Sequence, residues 1–171
     1  TATHSTLVLN NTSSTRFERD KNGYMLANKS FKIINKAFKK EDKFWFIKVS
    51  HDAYSKSNGV IHERQIKYFN ENFKLEGCDK LIKTKKFKSS SFEIRFHLLP
   101  EINITKLLNN ETILIESNNS GWKFTCKNHK IDIETGLYFG KKNKYLENKN
   151  ILIAGLTTSE EQNIFWEIEK I

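Results

Sequence analysis

The sequence lacks any long apolar run, and this absence excludes a conventional membrane-spanning helix. A typical apolar stretch, Phe44-Trp45-Phe46-Ile47, is far shorter than the roughly 20 residues that cross a bilayer. Residues 1–6 also lack an initiator methionine and a charged start followed by apolar residues, so they do not form a signal peptide. We therefore expect the sequence to open inside a longer protein.

Cysteines and the common catalytic signatures are equally scarce. Cys78 and Cys126 permit at most one bridge, and a chain of 171 residues does not need a disulfide to hold its core, so we expect two buried thiols. There is no glycine-rich phosphate loop, CxxC pair, HExxH or GxSxG. We therefore do not expect a self-contained active site.

What is present suits one folded domain over residues 1–171. Hydrophobic residues make up 37% and aromatic residues 12% of the chain, which is ample for a core. Lysine and arginine outnumber aspartate and glutamate by 29 to 20, and the net charge of +9 favours polyanionic partners. Acidic polysaccharide and nucleic acid are both partners of this kind. Alternatively, the excess of lysine reflects a codon bias, with lysine filling solvated positions. Nucleic acid ranks last, because the aromatic residues alternate as core residues do.

Apolar and polar residues alternate with a period of two, which is typical of half-buried strands. The clearest example places Phe92, Ile94 and Phe96 on one face. Similar patterns predict strands at residues 6–9, 31–34, 44–49, 60–69, 73–75, 112–115, 122–126, 131–134, 137–139, 151–154 and 164–168. We therefore predict an all-β fold, an antiparallel two-sheet β-sandwich of the supersandwich-like kind.

Turn chemistry separates these strands. Asn22-Gly23, Asn58-Gly59 and residues 70–72, 118–121 and 127–129 contain residues that tolerate positive φ, so hairpins are the expected connections. Two segments instead favour short helical turns. They are residues 101–109 and residues 158–162, the second of which opens with an N-cap-like Thr158.

Several blocks of sequence resemble bacterial heparinase II/III-like proteins in order and spacing. Residues 1–14 resemble the "TAAHSTL…DTSS" stretch of that family, residues 51–54 its "HDGY", residues 59–64 its "GVIHER", and residues 95–100 its "RFHLHP". Residues 121–124 and 134–140 fit "GWRF" and "EESVYLG". Two positions depart from the family, since Ala53 replaces a glycine and Leu99 replaces a histidine.

The resemblance implies an enzyme with an upstream α/α toroid and a C-terminal β-sandwich, which cleaves uronate-containing polysaccharides by β-elimination in the periplasm. The tyrosine and histidine that transfer protons in such relatives lie upstream of the matched region. We therefore expect this chain to form one wall of the substrate cleft and to be inactive alone. The alternative is a non-catalytic carbohydrate-binding or cell-envelope module of the same fold.

The resemblance also marks one candidate zinc ligand. His4 stands where the relatives' "AHNT"-like motif has a histidine similar to a zinc ligand, whose partners come from earlier strands. In this interpretation zinc belongs to the longer protein, and none is expected on this chain alone. The structural alternative is a histidine at a strand edge, hydrogen-bonded to backbone.

Six further residues are candidate contacts for the carboxylate or sulfate groups of a polysaccharide, because histidine and arginine donate hydrogen bonds to anions. They are His51, Tyr54, His62, Arg64, Arg95 and His97. Structural alternatives stay open for each pair. His62 and Arg64 would form a polar cluster at the end of a sheet. Arg95 and His97 would lie on a solvated sheet face, and Tyr54 would anchor a packed loop.

Overall fold

A computed structural model of the chain describes residues 3–28, 31–117, 120–142, 144–158 and 160–171. Within these ranges the chain forms fourteen strands and no helix, so the predicted all-β class is confirmed. The strands are β1 (Leu7–Leu9), β2 (Arg16–Arg19), β3 (Met25–Asn28), β4 (Ile33–Lys40), β5 (Phe44–His51), β6 (Val60–Phe69), β7 (Lys74–Lys83), β8 (Ser91–His97), β9 (Asn103–Lys106), β10 (Thr112–Ser117), β11 (Ser120–Thr125), β12 (Ile131–Lys141), β13 (Lys144–Leu156) and β14 (Gln162–Lys170).

The strands pair into two main antiparallel sheets. The larger has eight strands in the order β4-β5-β6-β7-β14-β11-β10-β9, and the smaller has four in the order β1-β8-β13-β12. Strands β2 and β3 form a separate hairpin. Strands that follow one another in sequence are neighbours throughout β4 to β7 and β9 to β11, and the predicted turns at Asn58-Gly59 and residues 70–72 are hairpins of this kind. The hairpin predicted at residues 127–129 is wrong, because that turn leads from β11 in the larger sheet to β12 in the smaller one.

The two main sheets pack face to face over one core. On β8 of the smaller sheet, Phe92, Ile94 and Phe96 are buried, as their alternation predicted. The Phe96 ring lies 4.9 Å from that of Phe124 on β11 and 4.7 Å from that of Trp166 on β14, both on the larger sheet. These edge-to-face contacts between sheets confirm the predicted sandwich.

The β2–β3 hairpin and β4, the edge strand of the larger sheet, lie outside the core. Every residue of β2 and β4 is exposed, including Phe17 at 61% and Phe38 at 68%. The sequence prediction missed the β2–β3 hairpin because exposure of both faces leaves no apolar alternation. It did identify the Asn22-Gly23 turn, where Gly23 has a φ of 83°.

Two predicted helical turns are wrong. Residues 101–109 contain β9, which pairs with β10 through Ile104 opposite Ile115. Positive φ angles at Glu101 (69°) and Asn110 (58°) interrupt any helix at either end. Residues 158 and 160–162 are not helical either; the Thr158 amide donates to the Gln162 side chain, which opens β14. Ser159 and the predicted turn residues Asn118 and Asn119 lie outside the described residues.

The two cysteines are free thiols, as predicted. Cys78 and Cys126 are both buried, and burial is the main cause that raises their pKa values, to about 11 and about 12. In the part of the chain that the structure describes, no helix is long and apolar enough to cross a membrane.

Candidate functional site

The carboxylate of Asp79 is the centre of a buried polar cluster between the sheets. Asp79 lies on β7 and is fully buried. His62 Nε2 lies 2.7 Å from its Oδ1, and Trp166 Nε1 donates to its Oδ2 over 2.9 Å. The Arg64 guanidinium donates two hydrogen bonds to the carboxylate, from Nε to Oδ1 and from Nη2 to Oδ2, each over 2.8 Å. Four charge-assisted donor contacts thus satisfy one carboxylate.

Strand register brings these groups together. On the neighbouring strand β6, Arg64 lies directly opposite Asp79, and His62 lies two residues earlier on the same face. Trp166 reaches Asp79 from β14, on the other side of β7, where it pairs with Gly77. A side chain at position 77 would place its Cβ 2.1 Å from the Trp166 ring. Glycine is therefore needed for the indole to cross β7.

The charges in this cluster determine the state of the carboxyl group. Burial by itself raises the pKa of Asp79, but the Arg64 guanidinium and the hydrogen bond from His62 outweigh burial and hold the pKa well below its usual range. Asp79 is therefore ionised, and its charge is balanced by Arg64. Such a pair stabilises the fold only while both partners are present.

Two histidines extend the cluster toward the loop after β5. His62 Nδ1 lies 3.3 Å from His51 Nε2, and His51 Nδ1 accepts a hydrogen bond from the Ala53 amide over 3.3 Å. These contacts assign one direction to the chain of bonds, with His51 Nε2–H donating to His62 and His62 Nε2–H donating to Asp79. Burial, followed by the nearby His62, lowers the pKa of His51 to about 4, against a smaller opposing effect of Asp52. His51 is therefore neutral at pH 7.

Three of the predicted residues also hold the segment that follows His4. Arg64 Nη1 donates to the Ser5 carbonyl oxygen, and the His97 amide donates to Ser5 Oγ over 3.0 Å. The buried Tyr54 hydroxyl donates to the Leu7 carbonyl over 3.0 Å. Tyr54 thus anchors its loop to β1, which agrees with the structural alternative for this residue.

Arg95 lies elsewhere, on the outer face of the smaller sheet. Its guanidinium pairs with Glu134 over 2.6 Å and with Glu93 over 2.7 Å. His97 shares this face by alternation and is half-buried. The structure therefore brings together His51, Tyr54, His62 and Arg64, and places the side chains of Arg95 and His97 on a different surface.

A cleft of about 1190 Å³ opens beside His51, between the β2–β3 hairpin and the loop after β5. It carries three basic side chains, Arg16, Lys32 and Lys56, together with two acidic ones, Glu18 and Asp52. The Asp52 carboxylate is already bound by the Lys32 amide over 2.6 Å. Hydroxyl side chains and two phenylalanines complete the lining: Thr12, Ser13, Ser14, Thr15, Ser57, Phe17 and Phe31.

The sequence prediction missed Asp79, Trp166 and the basic residues of the cleft. A signal for Asp79 exists, since Leu75, Gly77, Asp79 and Leu81 continue the core-facing alternation beyond the strand predicted at residues 73–75. A carboxylate on such a face requires a buried partner. The cleft residues carry no comparable signal, because exposed lysines and serines are common on any surface.

The residues present do not make a metal site by themselves. His4 is exposed, and its carbonyl accepts a hydrogen bond from the Thr6 amide over 2.8 Å. Among the described residues, no group of three histidine, cysteine, aspartate or glutamate side chains is arranged to hold a metal ion. His4 offers a single imidazole, so a zinc role for it requires donors that the described residues do not supply.

The solved structures of similar fold include a heparan sulfate lyase and two heparinase III proteins. The chain matches the heparan sulfate lyase HepC from Pedobacter heparinus with a TM-score of 0.73 and 14% identity, over 98% of this chain and 24% of that one. It matches the heparinase III product of the BT4657 gene with a TM-score of 0.69 and 13% identity, over 99% of this chain and 24% of that one. A further heparinase III structure matches with a TM-score of 0.68 and 14% identity, over 98% of this chain and 23% of that one.

These likenesses show a shared fold, and the chain spans about a quarter of the length of those proteins. A comparison with curated protein sequences gives no significant match. The family is shown by a protein-family model described as "Heparinase II/III-like, C-terminal", which matches residues 1–167. The chain therefore belongs to the heparinase II/III-like family, whose C-terminal domain it contains.

Proposed function

We propose that this chain is the substrate-binding β-sandwich of a polysaccharide lyase and forms one wall of a cleft for acidic, uronate-containing polysaccharide. The family match over residues 1–167 is the observation that carries this proposal. The similar structures are a heparan sulfate lyase and heparinases, whose names describe action on an acidic glycan. The chain's net charge of +9 suits the same class of ligand.

The cleft beside His51 has the chemistry for a direct contact with such a glycan. Arg16, Lys32 and Lys56 are exposed cations suited to carboxylate or sulfate groups. Phe31 packs 5.4 Å from the His51 ring, which fixes an apolar surface against which a sugar ring would lie. None of the six residues predicted to bind substrate lines this cleft, but His51 and Tyr54 flank two residues that do, Asp52 and Ala53.

The Asp79 cluster suits a supporting role rather than proton transfer to a substrate. Tyr54 and His62 are buried, with 1% and 3% of their surfaces exposed. Burial also raises the pKa of Tyr54 to about 12, which disfavours the phenolate that a tyrosine base would need. In the lyase, abstraction of the proton α to the uronate carboxylate and expulsion of the 4-O-linked sugar then fall to residues outside this chain.

The exposed apolar residues of the β2–β3 hairpin and of β4 suit contact with another domain. Phe17 and Leu26 on the hairpin and Ile33 and Phe38 on β4 are each more than half exposed. Surfaces of this kind mark interaction sites. The α/α toroid implied by the family resemblance is the proposed neighbour, and a zinc ion shared between that part and His4 stays a prediction.

A non-catalytic carbohydrate-binding module is the second candidate, favoured by the internal bonding of Tyr54, His62 and Arg64. The two candidates differ in one measurement. A polypeptide containing this chain together with its toroid is incubated with heparan-type and other acidic glycans, and unsaturated product is monitored. Product formation is expected for the lyase, whereas binding without product across the panel would favour the module.

Binding by the cleft itself is tested with matched charge variants of this chain. The triple substitution Arg16→Gln, Lys32→Gln and Lys56→Gln is expected to weaken binding of a uronate oligosaccharide at least about tenfold, roughly 1.4 kcal/mol. The control, Lys85→Gln, Lys86→Gln and Lys88→Gln, changes the net charge equally at exposed residues that do not line the cleft. Equal weakening by both triples, measured by calorimetry, would reduce the cleft's role to nonspecific attraction.

A further inference from the structure

The segment from His4 to Leu7 is held by groups from both sheets. Arg64 of the larger sheet binds the Ser5 carbonyl, and the His97 amide of the smaller sheet binds Ser5 Oγ. The Arg95 amide donates to the Thr6 carbonyl over 3.3 Å. A short exposed segment is thus attached where the sheets meet, directly after the candidate ligand His4.

Arg64 connects this segment to the buried cluster. Its guanidinium lies 5.9 Å from the Phe96 ring and 5.7 Å from the Trp166 ring, one aromatic group from each sheet. Two of its nitrogens are fixed by Asp79, and Nη1 points to Ser5. The planar guanidinium of Arg64 therefore has a fixed orientation, and its hydrogen bond to Ser5 fixes the backbone beside His4.

We propose that Arg64, oriented by Asp79, is a positioning residue for His4. The functional value of this role rests on the proposed function, in which His4 faces a neighbouring part of the lyase. The contacts themselves do not depend on it. Arg64 was a candidate for substrate contact, whereas in this proposal it acts through the backbone of Ser5.

The variant Arg64→Lys distinguishes a local loss of backbone order from a general loss of stability. Lysine at position 64 retains the positive charge, but its single ammonium cannot reproduce the fork on Asp79 and reach Ser5 at the same time. The expected result of Arg64→Lys is a folded protein whose backbone at His4 and Ser5 is mobile. A residue that only stabilised the core would affect all strands alike.

The test is a measurement of backbone ¹⁵N order parameters in this chain. In the unaltered protein, Ser5 is expected near the rigid value of about 0.85, and in Arg64→Lys it should fall below about 0.6, while Thr6 is still held by the Arg95 amide. Strands β8 and β13 should keep their values. The control Arg95→Lys removes an equivalent fork on Glu134 but leaves the backbone bond from residue 95 to Thr6 in place, so segment 4–6 should stay rigid.

All variants are also measured in sucrose, which favours the compact state, so that weak folding of Arg64→Lys does not obscure the comparison. Unchanged order at Ser5 in Arg64→Lys would overturn the proposal, as would an equal loss of order in β8 and β13. Since no glycan is used, a failure here is distinct from a failure of the proposed polysaccharide binding.

Discussion

The indole nitrogen of Trp166 donates a 2.9 Å hydrogen bond to the buried carboxylate of Asp79, 87 positions away in the chain. The bond requires the indole to lie across Gly77, the residue paired with Trp166 on the neighbouring strand. A glycine, an aromatic residue and a buried acid are therefore one structural unit.

Gly77→Ala is expected to disrupt this unit. The new Cβ would lie 2.1 Å from the Trp166 ring, so the indole must move away from Asp79. We expect a loss of about 1 to 3 kcal/mol in the free energy of unfolding, the usual cost of overpacking, measured by urea denaturation. Gly121→Ala is the control, because its Cβ meets the exposed Ile171 side chain at 3.0 Å and should cost less. Equal losses in both variants would contradict the assigned role of Gly77.

Asp79→Asn is expected to destabilise the protein by about 3 to 5 kcal/mol, because it leaves the Arg64 charge without its buried partner. Asp132→Asn supplies the comparison. Asp132 pairs with Lys106 at a site where about half of its side chain is exposed, so its loss should cost about 1 kcal/mol or less. Chemical denaturation of both variants decides the point; a small effect at position 79 would mean that the cluster contributes little to stability.

His51 predicts a pH dependence of stability. Its pKa is about 4 in the folded protein and about 6.5 when unfolded, so between these values the unfolded chain binds the additional proton. Stability should therefore fall as the pH decreases from about 6.5 to about 4. In His51→Gln this contribution is removed, and the urea midpoint should change less over the same window.

His129→Gln is the matched control for that experiment, since His129 lies outside the Asp79 cluster, with its Nδ1 3.3 Å from the Lys127 carbonyl. Its pH profile should stay steeper than that of His51→Gln. Superimposable profiles for the unaltered protein and His51→Gln would show that His51 does not titrate as its burial requires.

The strands of the sandwich were predictable from the sequence where one face is buried. β8 and β6 follow from alternation, because a one-residue slip would expose the whole apolar face. β2 and β4 were missed or shortened because both of their faces are exposed. The helical prediction for residues 101–109 failed because β9 is a short edge strand, too short to show a clear alternation of apolar and polar residues.

The candidate site was only partly predictable. The family resemblance pointed to His62 and Arg64, but their shared partner Asp79 depends on strand register and lies 15 residues from Arg64. Trp166 and Ser5 are still more distant in sequence. Local patterns cannot supply contacts of this range, since each one is set by the packing of whole strands.

The location of a bound glycan on the chain is the decisive measurement for the proposed polysaccharide-binding role. A uronate-containing oligosaccharide is titrated into the ¹⁵N-labelled chain, and the backbone signals that shift are mapped onto the structure. Binding in the cleft beside His51 predicts saturable shifts concentrated at its lining residues 12–18, 31–32, 52–53 and 56–57. No saturable shift, or shifts confined to the lysine-rich residues 83–88, would contradict it.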